Sequence, residues 1–147
     1  MGVPQSTVQE WLKSYDKNAI TVGVVASHSS LQILHGERQE GFRTLGIAVG
    51  ENRRRFYKAF PGADPDEWLM LEDYREMLDY AEWFREKNVI IVPHGSLVEY
   101  LGANNFRNLE VPTFGNRNIL HWESSRALQR QWLEDGGCTC LLYTSDA

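Results

Sequence analysis

The chain has 147 residues, 42% of them hydrophobic and 24% charged, a balance that excludes disordered, collagenous and low-complexity classes and fits one domain with little to spare. Fifteen Lys and Arg against twenty Asp and Glu give a formal charge of −5, which argues against a duplex nucleic-acid surface, where Lys and Arg dominate. With no run of about 18 apolar residues and no basic-then-apolar leader, no membrane partner is expected and the location is read as cytoplasmic.

Val8, Trp11, Leu12 and Tyr15 recur at helical spacing, and Thr7 with Glu10 suggests a capping box, so a helix is predicted over residues 7–16. Ile20 to Ala26 is a continuous β-branched run suited to a strand covered on both faces. Ser27-His28-Ser29-Ser30 follows, offering caps for a helix that runs to Glu40 and stops at Gly41. Thr44 to Val49 reads as the second strand, and Gly50 to Arg55 as a polar, solvated loop. A short strand at Glu67 to Leu71 precedes one long helical face through Tyr74, Leu78, Ala81 and Phe84, closed by Asn88.

Val89 to Val92 is the next clear strand, Pro93-His94-Gly95-Ser96 its exit, and Leu97, Val98 and Leu101 begin a helix. Glu110 to Phe114 reads as a further short strand, and Ser124 to Glu134 as a last helix with Leu128 and Trp132 or Leu133 facing inward. Cys138 and Cys140 have no second pair and no nearby histidine, so they are expected to be incidental thiols and no metal site is assigned. Apolar strands alternating with amphipathic helices give an α/β layer architecture with a mostly parallel sheet.

In open parallel sheets, ligands bind beyond the carboxyl ends of the strands. Three exits carry chemistry: His28 with its flanking serines, His94-Gly95-Ser96, and Gly115-Asn116-Arg117. Together they suit a phosphorylated polar metabolite. Each has a structural alternative. Ser29 and Ser30 could be helix caps, His28 a local backbone partner, Gly95 a tight turn and Arg117 an ion-pair partner of Glu123. His35 and His121 are assigned to structure, and Tyr80, Trp83 and Phe84 to packing. The sequence has no phosphate loop, dinucleotide fingerprint, nucleophile elbow or metalloprotease helix.

Four blocks carry a resemblance: Ile20 to Gly36, Glu40 to Thr44, Ile91 to Gly102 and Val111 to Arg126. In that order they resemble the N-terminal domain of the archaeal formaminoimidazole carboxamide ribonucleotide (FAICAR) synthetases, members of the ATP-grasp superfamily. The resemblance implies a three-layer, Rossmann-like pre-ATP-grasp domain over residues 1–123. Residues 124–137 would start a linker into an ATP-grasp domain, and residues 138–147 are expected to be a non-native tail. It also implies a ligase that formylates aminoimidazole carboxamide ribonucleotide (AICAR) in IMP biosynthesis, with AICAR, formate and ATP as small-molecule partners. ATP and Mg2+ would be held by the ATP-grasp domain, so this chain alone is expected to be inactive. A homo-oligomer of the full-length protein is left open. His28 and Ser96 carry over as substrate-binding positions, with Ser29, Gly95, Asn116 and Arg117 in the same motifs. The alternative is a stand-alone nucleotide- or phosphosugar-binding regulatory module. Trp68, Trp83 and Trp122 could pack against the further domain.

Overall fold

The computed structural model describes residues 2–138, so Cys140 and most of the expected tail lie outside the described residues. The elements run α1 (Gln5–Ser14), β1 (Thr21–Val25), α2 (Ser30–Gln39), β2 (Arg43–Val49), α3 (Glu51–Tyr57), β3 (Glu67–Leu71), a 3₁₀ turn (Tyr74–Leu78), α4 (Ala81–Glu86), β4 (Val89–Ile91), α5 (Gly95–Leu101), α6 (Ala103–Asn108), α7 (Ile119–Glu123) and α8 (Arg126–Asp135). The strands form one sheet in the order β3-β2-β1-β4, and every pairing is parallel.

Alternation along the strands sends side chains to two cores. Val22, Val24, Ala26 and Ala48 meet Leu34 of α2 and Tyr57 of α3 on one face. Val25, Leu45, Ile47, Val89 and Ile91 meet Met77, Phe84, Leu97 and Phe106 on the other. The result is the expected three-layer α/β arrangement. Gly46 is the tight point between β2 and β3. A Cβ there would lie 2.6 Å from Pro65 and 2.7 Å from the Trp68 ring, and Trp68 is itself fixed edge-on to Tyr57.

Several sequence expectations need correction. Helix α1 begins before the Thr7–Glu10 box: Pro4 is its N-cap, with φ −64°, and no side chain caps it. Residues 51–57 are not a solvated loop but α3, entered through Gly50 at φ +81°. The long helix through Phe84 is two pieces. Asp73 and Glu76 cap a 3₁₀ turn reciprocally, and the chain leaves helical geometry at Tyr80 (φ −88°, ψ 7°) before α4 begins.

The strand expected at 110–114 is reduced to one parallel bridge, Ile91 with Thr113. Pro112 in its middle has no N–H to extend a ladder. Helix α8 buries none of its residues: Trp132 is 47% and Leu133 40% exposed, against the inward placement expected. Trp68 and Trp83 are half-buried, and each packs against one of the two cores. Asn88 (φ +53°) and Gly41 (φ +81°) do end their helical stretches as the sequence suggested.

Gly46→Ala is expected to destabilise the fold by about 1–3 kcal/mol, because overpacking against two rings outweighs the roughly 0.5–1 kcal/mol gained by restricting the unfolded chain. A urea midpoint at or above that of the parent chain would contradict this packing.

Candidate functional site

Because every strand is parallel, the exits of β1, β2, β3 and β4 lie along one edge of the sheet. Strand order also reverses here. From β1 the chain moves outward through β2 to β3, then crosses to β4 on the other side of β1. The gap between β1 and β4 is therefore the topological switch point, where open α/β sheets take ligands. His28 and Ser29 leave β1 at this gap, and His94, Gly95 and Ser96 leave β4.

The β1 exit is held by side chains. Where the strand ends its carbonyls need new donors, and three consecutive ones receive them. His94 Nε2 lies 2.9 Å from Val25 O, Arg53 Nη1 donates to Ala26 O at 2.9 Å, and the Tyr57 hydroxyl donates to Ser27 O at 2.7 Å. Ser30 Oγ also donates to Ser27 O and accepts from Ser27 N–H, both at 2.8 Å, and lies against the Tyr57 hydroxyl. Ser30 is thus wholly structural. Ser29 occupies the N-cap position of α2 without a side-chain capping bond, so the capping alternative does not hold for its hydroxyl. His28 is exposed, and Ser96 is buried at 6% exposure. Gly95 is exposed in the first turn of α5, and a Cβ there would meet nothing within 4 Å. It is not among the positive-φ glycines, so close access for a ligand, rather than an unusual turn, is what this position offers.

The third exit follows the parallel bridge of Thr113 with Ile91, beyond β4. Gly115, at φ +77°, turns the chain after Phe114, and Asn116 and Arg117 line a separate hollow of about 470 Å³ against Val8 and Leu12 of α1. Arg117 is buried. Its Nη1 and Nη2 donate to Leu109 O and Val111 O, both at 2.6 Å, in place of any ion pair with Glu123. Asn116 Oδ1 accepts from Asn118 N–H at 3.0 Å, a local turn. The structure places His28 and Ser29 on the β1 exit and Gly95 and Ser96 on the β4 exit, while Asn116 and Arg117 follow the parallel bridge at Thr113 on the far side of β4 and line the hollow against α1.

Sequence reasoning passed over the residues that frame this rim. Arg53 Nη2 donates to the Tyr100 hydroxyl at 3.1 Å, its guanidinium sits 5.1 Å from the Tyr100 ring centroid, and Tyr100 stacks on Tyr74 at 4.9 Å. Tyr57 belongs to one core and Tyr100 packs on the other, so Arg53 crosses the carboxyl end of the sheet from one helical layer to the other. The available signal was positional: Gly50 to Arg55 is itself a strand exit. A further hollow, about 530 Å³, lies at the opposite, amino edge, where Lys87 and Arg43 share the Glu67 carboxylate at 2.5 and 3.4 Å. Among the described residues no three His, Cys, Asp or Glu side chains cluster to hold a metal ion, and no helix is long and apolar enough to cross a membrane.

Residues 22–141 match the family described as a protein of unknown function, DUF1246. The chain belongs to this family. It is 53% identical over 135 residues to the 5-formaminoimidazole-4-carboxamide-1-(beta)-D-ribofuranosyl 5'-monophosphate synthetase 1 of Methanosarcina mazei, covering 92% of this chain and 38% of the relative. It is 43% identical over 147 residues to the synthetase of the same description from Korarchaeum cryptofilum, covering 97% of this chain and 40% of the relative. Among solved structures it is similar to an IMP biosynthesis protein PurP from Thermococcus kodakaraensis, with a TM-score of 0.64 and 39% identity over 79% of this chain and 36% of that one. The chain therefore spans about two-fifths of the length of these relatives, matching their N-terminal region.

In this DUF1246 chain, His94 gives the rim a titratable latch. A carbonyl only accepts, so Nε2 carries the proton toward Val25 O, and Nδ1 is left buried without a partner. Burial pushes the His94 pKa below the ordinary 6.5, and His28 nearby disfavours the charged ring further. The unfolded chain then binds more protons just below pH 6.5, so this contribution to stability is complete above that pH and is lost as pH falls toward the folded value. The urea midpoint of the parent chain is expected to drop between pH 7 and pH 5 more steeply than that of His94→Gln, which keeps an N–H donor but does not titrate. Equal slopes would contradict the latch.

Proposed function

We propose that this chain is the acceptor-binding portion of an ATP- and formate-dependent ligase that formylates the 5-amino group of AICAR on the way to IMP. The observation that carries the reading is that His28 and Ser96, the two positions the resemblance assigns to the ribonucleotide, stand on the two strand exits that flank the switch point. The relatives' names, which specify a formaminoimidazole carboxamide ribonucleotide synthetase, supply the chemical class. In this reading residues 1–123 are the binding domain, and residues 124–137 lead out of it through α8, whose Trp132 and Leu133 stay largely exposed among the described residues.

The exits divide the work of recognition. The exposed His28 ring and the free Ser29 hydroxyl offer directional hydrogen bonds to a carboxamide or ribose, Gly95 leaves room for close approach, and the buried Ser96 follows it in the first turn of α5. Formylation also needs formate to be activated by phosphoryl transfer, which calls for magnesium and cations around the moving phosphoryl group. The described residues bring no acidic cluster together for that ion. ATP, Mg2+ and formate activation are assigned to the part of the relatives' length that this chain does not span. The chain binds and orients the amine.

Titration calorimetry of the chain with AICAR is expected to show one site. His28→Ala and Ser96→Ala should each weaken it about tenfold or more, the loss of one good hydrogen bond of roughly 1.4 kcal/mol. Absence of binding by the folded chain, or affinity untouched by both substitutions, would overturn the reading.

A further inference from the structure

Arg53 is a cation without a counter-ion. Arg53, half-buried, forms no ion pair within 4.0 Å among the described residues, and neither do Arg55, Arg107, Arg117, Arg126 and Arg130; what sets Arg53 apart from these is its place, bonded to the β1 exit. Its partners are a backbone carbonyl, a phenol hydroxyl and the face of the Tyr100 ring. Neutral oxygens satisfy N–H groups, but they do not neutralise a charge drawn partly out of water. A guanidinium has five N–H donors, and these two bonds use two of them.

The position of Arg53 gives that unspent charge a direction. Nη1 is tied to Ala26 O, two residues before His28, and Nη2 to Tyr100. Tyr100 lies at i+4 from Ser96 on α5, so the two share one face of the helix. Arg53 therefore bridges the same two elements that carry His28 and Ser96. It lies 5.1 Å from the centroid of the Tyr100 ring, which is in turn stacked on Tyr74 at an interplanar angle of 12°. A planar, oriented fork with spare donors matches the oxygens of a phosphate monoester.

We propose that Arg53 binds the phosphate of the acceptor nucleotide at this rim, supplying the counter-charge for its dianion while its remaining bonds keep the β1 exit in place. This rests on the reading of the rim as an acceptor site and adds the residue that discriminates a nucleotide from its nucleoside. Ser96 and His28 address the neutral parts of such a ligand, and Arg53 its charge.

The test compares calorimetric affinities of the chain and its Arg53→Gln variant for AICAR, for the corresponding riboside without phosphate, for AMP and for inorganic phosphate. Folding of the variant is checked by circular dichroism. Arg53→Gln is expected to weaken AICAR roughly 10- to 100-fold, the range of a charged hydrogen-bond pair, and to leave the riboside within about twofold. Tyr100→Phe, which removes only the acceptor that orients the fork, is expected to cost about two- to fivefold on AICAR alone, and it serves if Arg53→Gln does not fold. Equal losses on nucleotide and nucleoside, or no loss on either, would overturn the proposal and leave Arg53 a purely structural residue. Arg53-dependent binding of AMP and phosphate with no preference for AICAR would uphold the phosphate site while overturning the acceptor reading. No binding of any phosphate would overturn both.

Discussion

Strand β1 occupies the one place in this fold where every constraint meets. Its five residues, Thr21 to Val25, are all buried, paired in parallel to β2 on one side and β4 on the other. When the chain leaves the sheet it loses its ladder while still below the surface, and the polar backbone there must be satisfied by something else. His94, Arg53 and Tyr57, from the β4 exit and from α3, supply the donors to Val25, Ala26 and Ser27. Ala26 N–H adds a last backbone bond to Ile47 O at 2.7 Å. A loop held this way is ordered before any ligand arrives, so the cost of immobilising it is met in folding and not in binding.

The two edges of the sheet differ in kind. At the amino edge the cations Lys87 and Arg43 are matched by Glu67, in the manner of a solvated ion-pair network whose members contribute little individually. At the carboxyl edge Arg53 and His94 are turned toward the chain's own carbonyls, Arg53 without an ion-pair partner among the described residues, and the exposed His28 stands on the β1 exit. A hollow of about 530 Å³ lies at the amino edge, but volume alone does not select a ligand. Convergent polar groups at a switch point do.

The strands were legible in the sequence because β-branched runs such as Ile20 to Ala26 have few other uses, and their exits followed from the parallel arrangement. What was not legible depended on contacts between distant segments. Arg53 read as one of three arginines in a polar stretch, since nothing local says that its fork reaches Ala26 and Tyr100. Arg117 read as a ligand group because its partners, Leu109 O and Val111 O, are backbone carbonyls that no residue type announces. The break at Tyr80 was hidden by a helical spacing that survives it, because Phe84 still faces the core from α4. Periodicity points Leu128 and Trp132 or Leu133 inward, but it marks an apolar face without saying what covers it.

The central claim is that the ligand gap lies at the carboxyl rim between β1 and β4. Amide chemical-shift mapping of the chain during titration with AICAR tests it most directly. The account predicts shifts confined to residues 26–30, 53 and 94–100, with those of 17–21 and 40–43 at the amino edge unmoved. Shifts centred on the amino-edge hollow, or on Asn116 and Arg117 against α1, would contradict it.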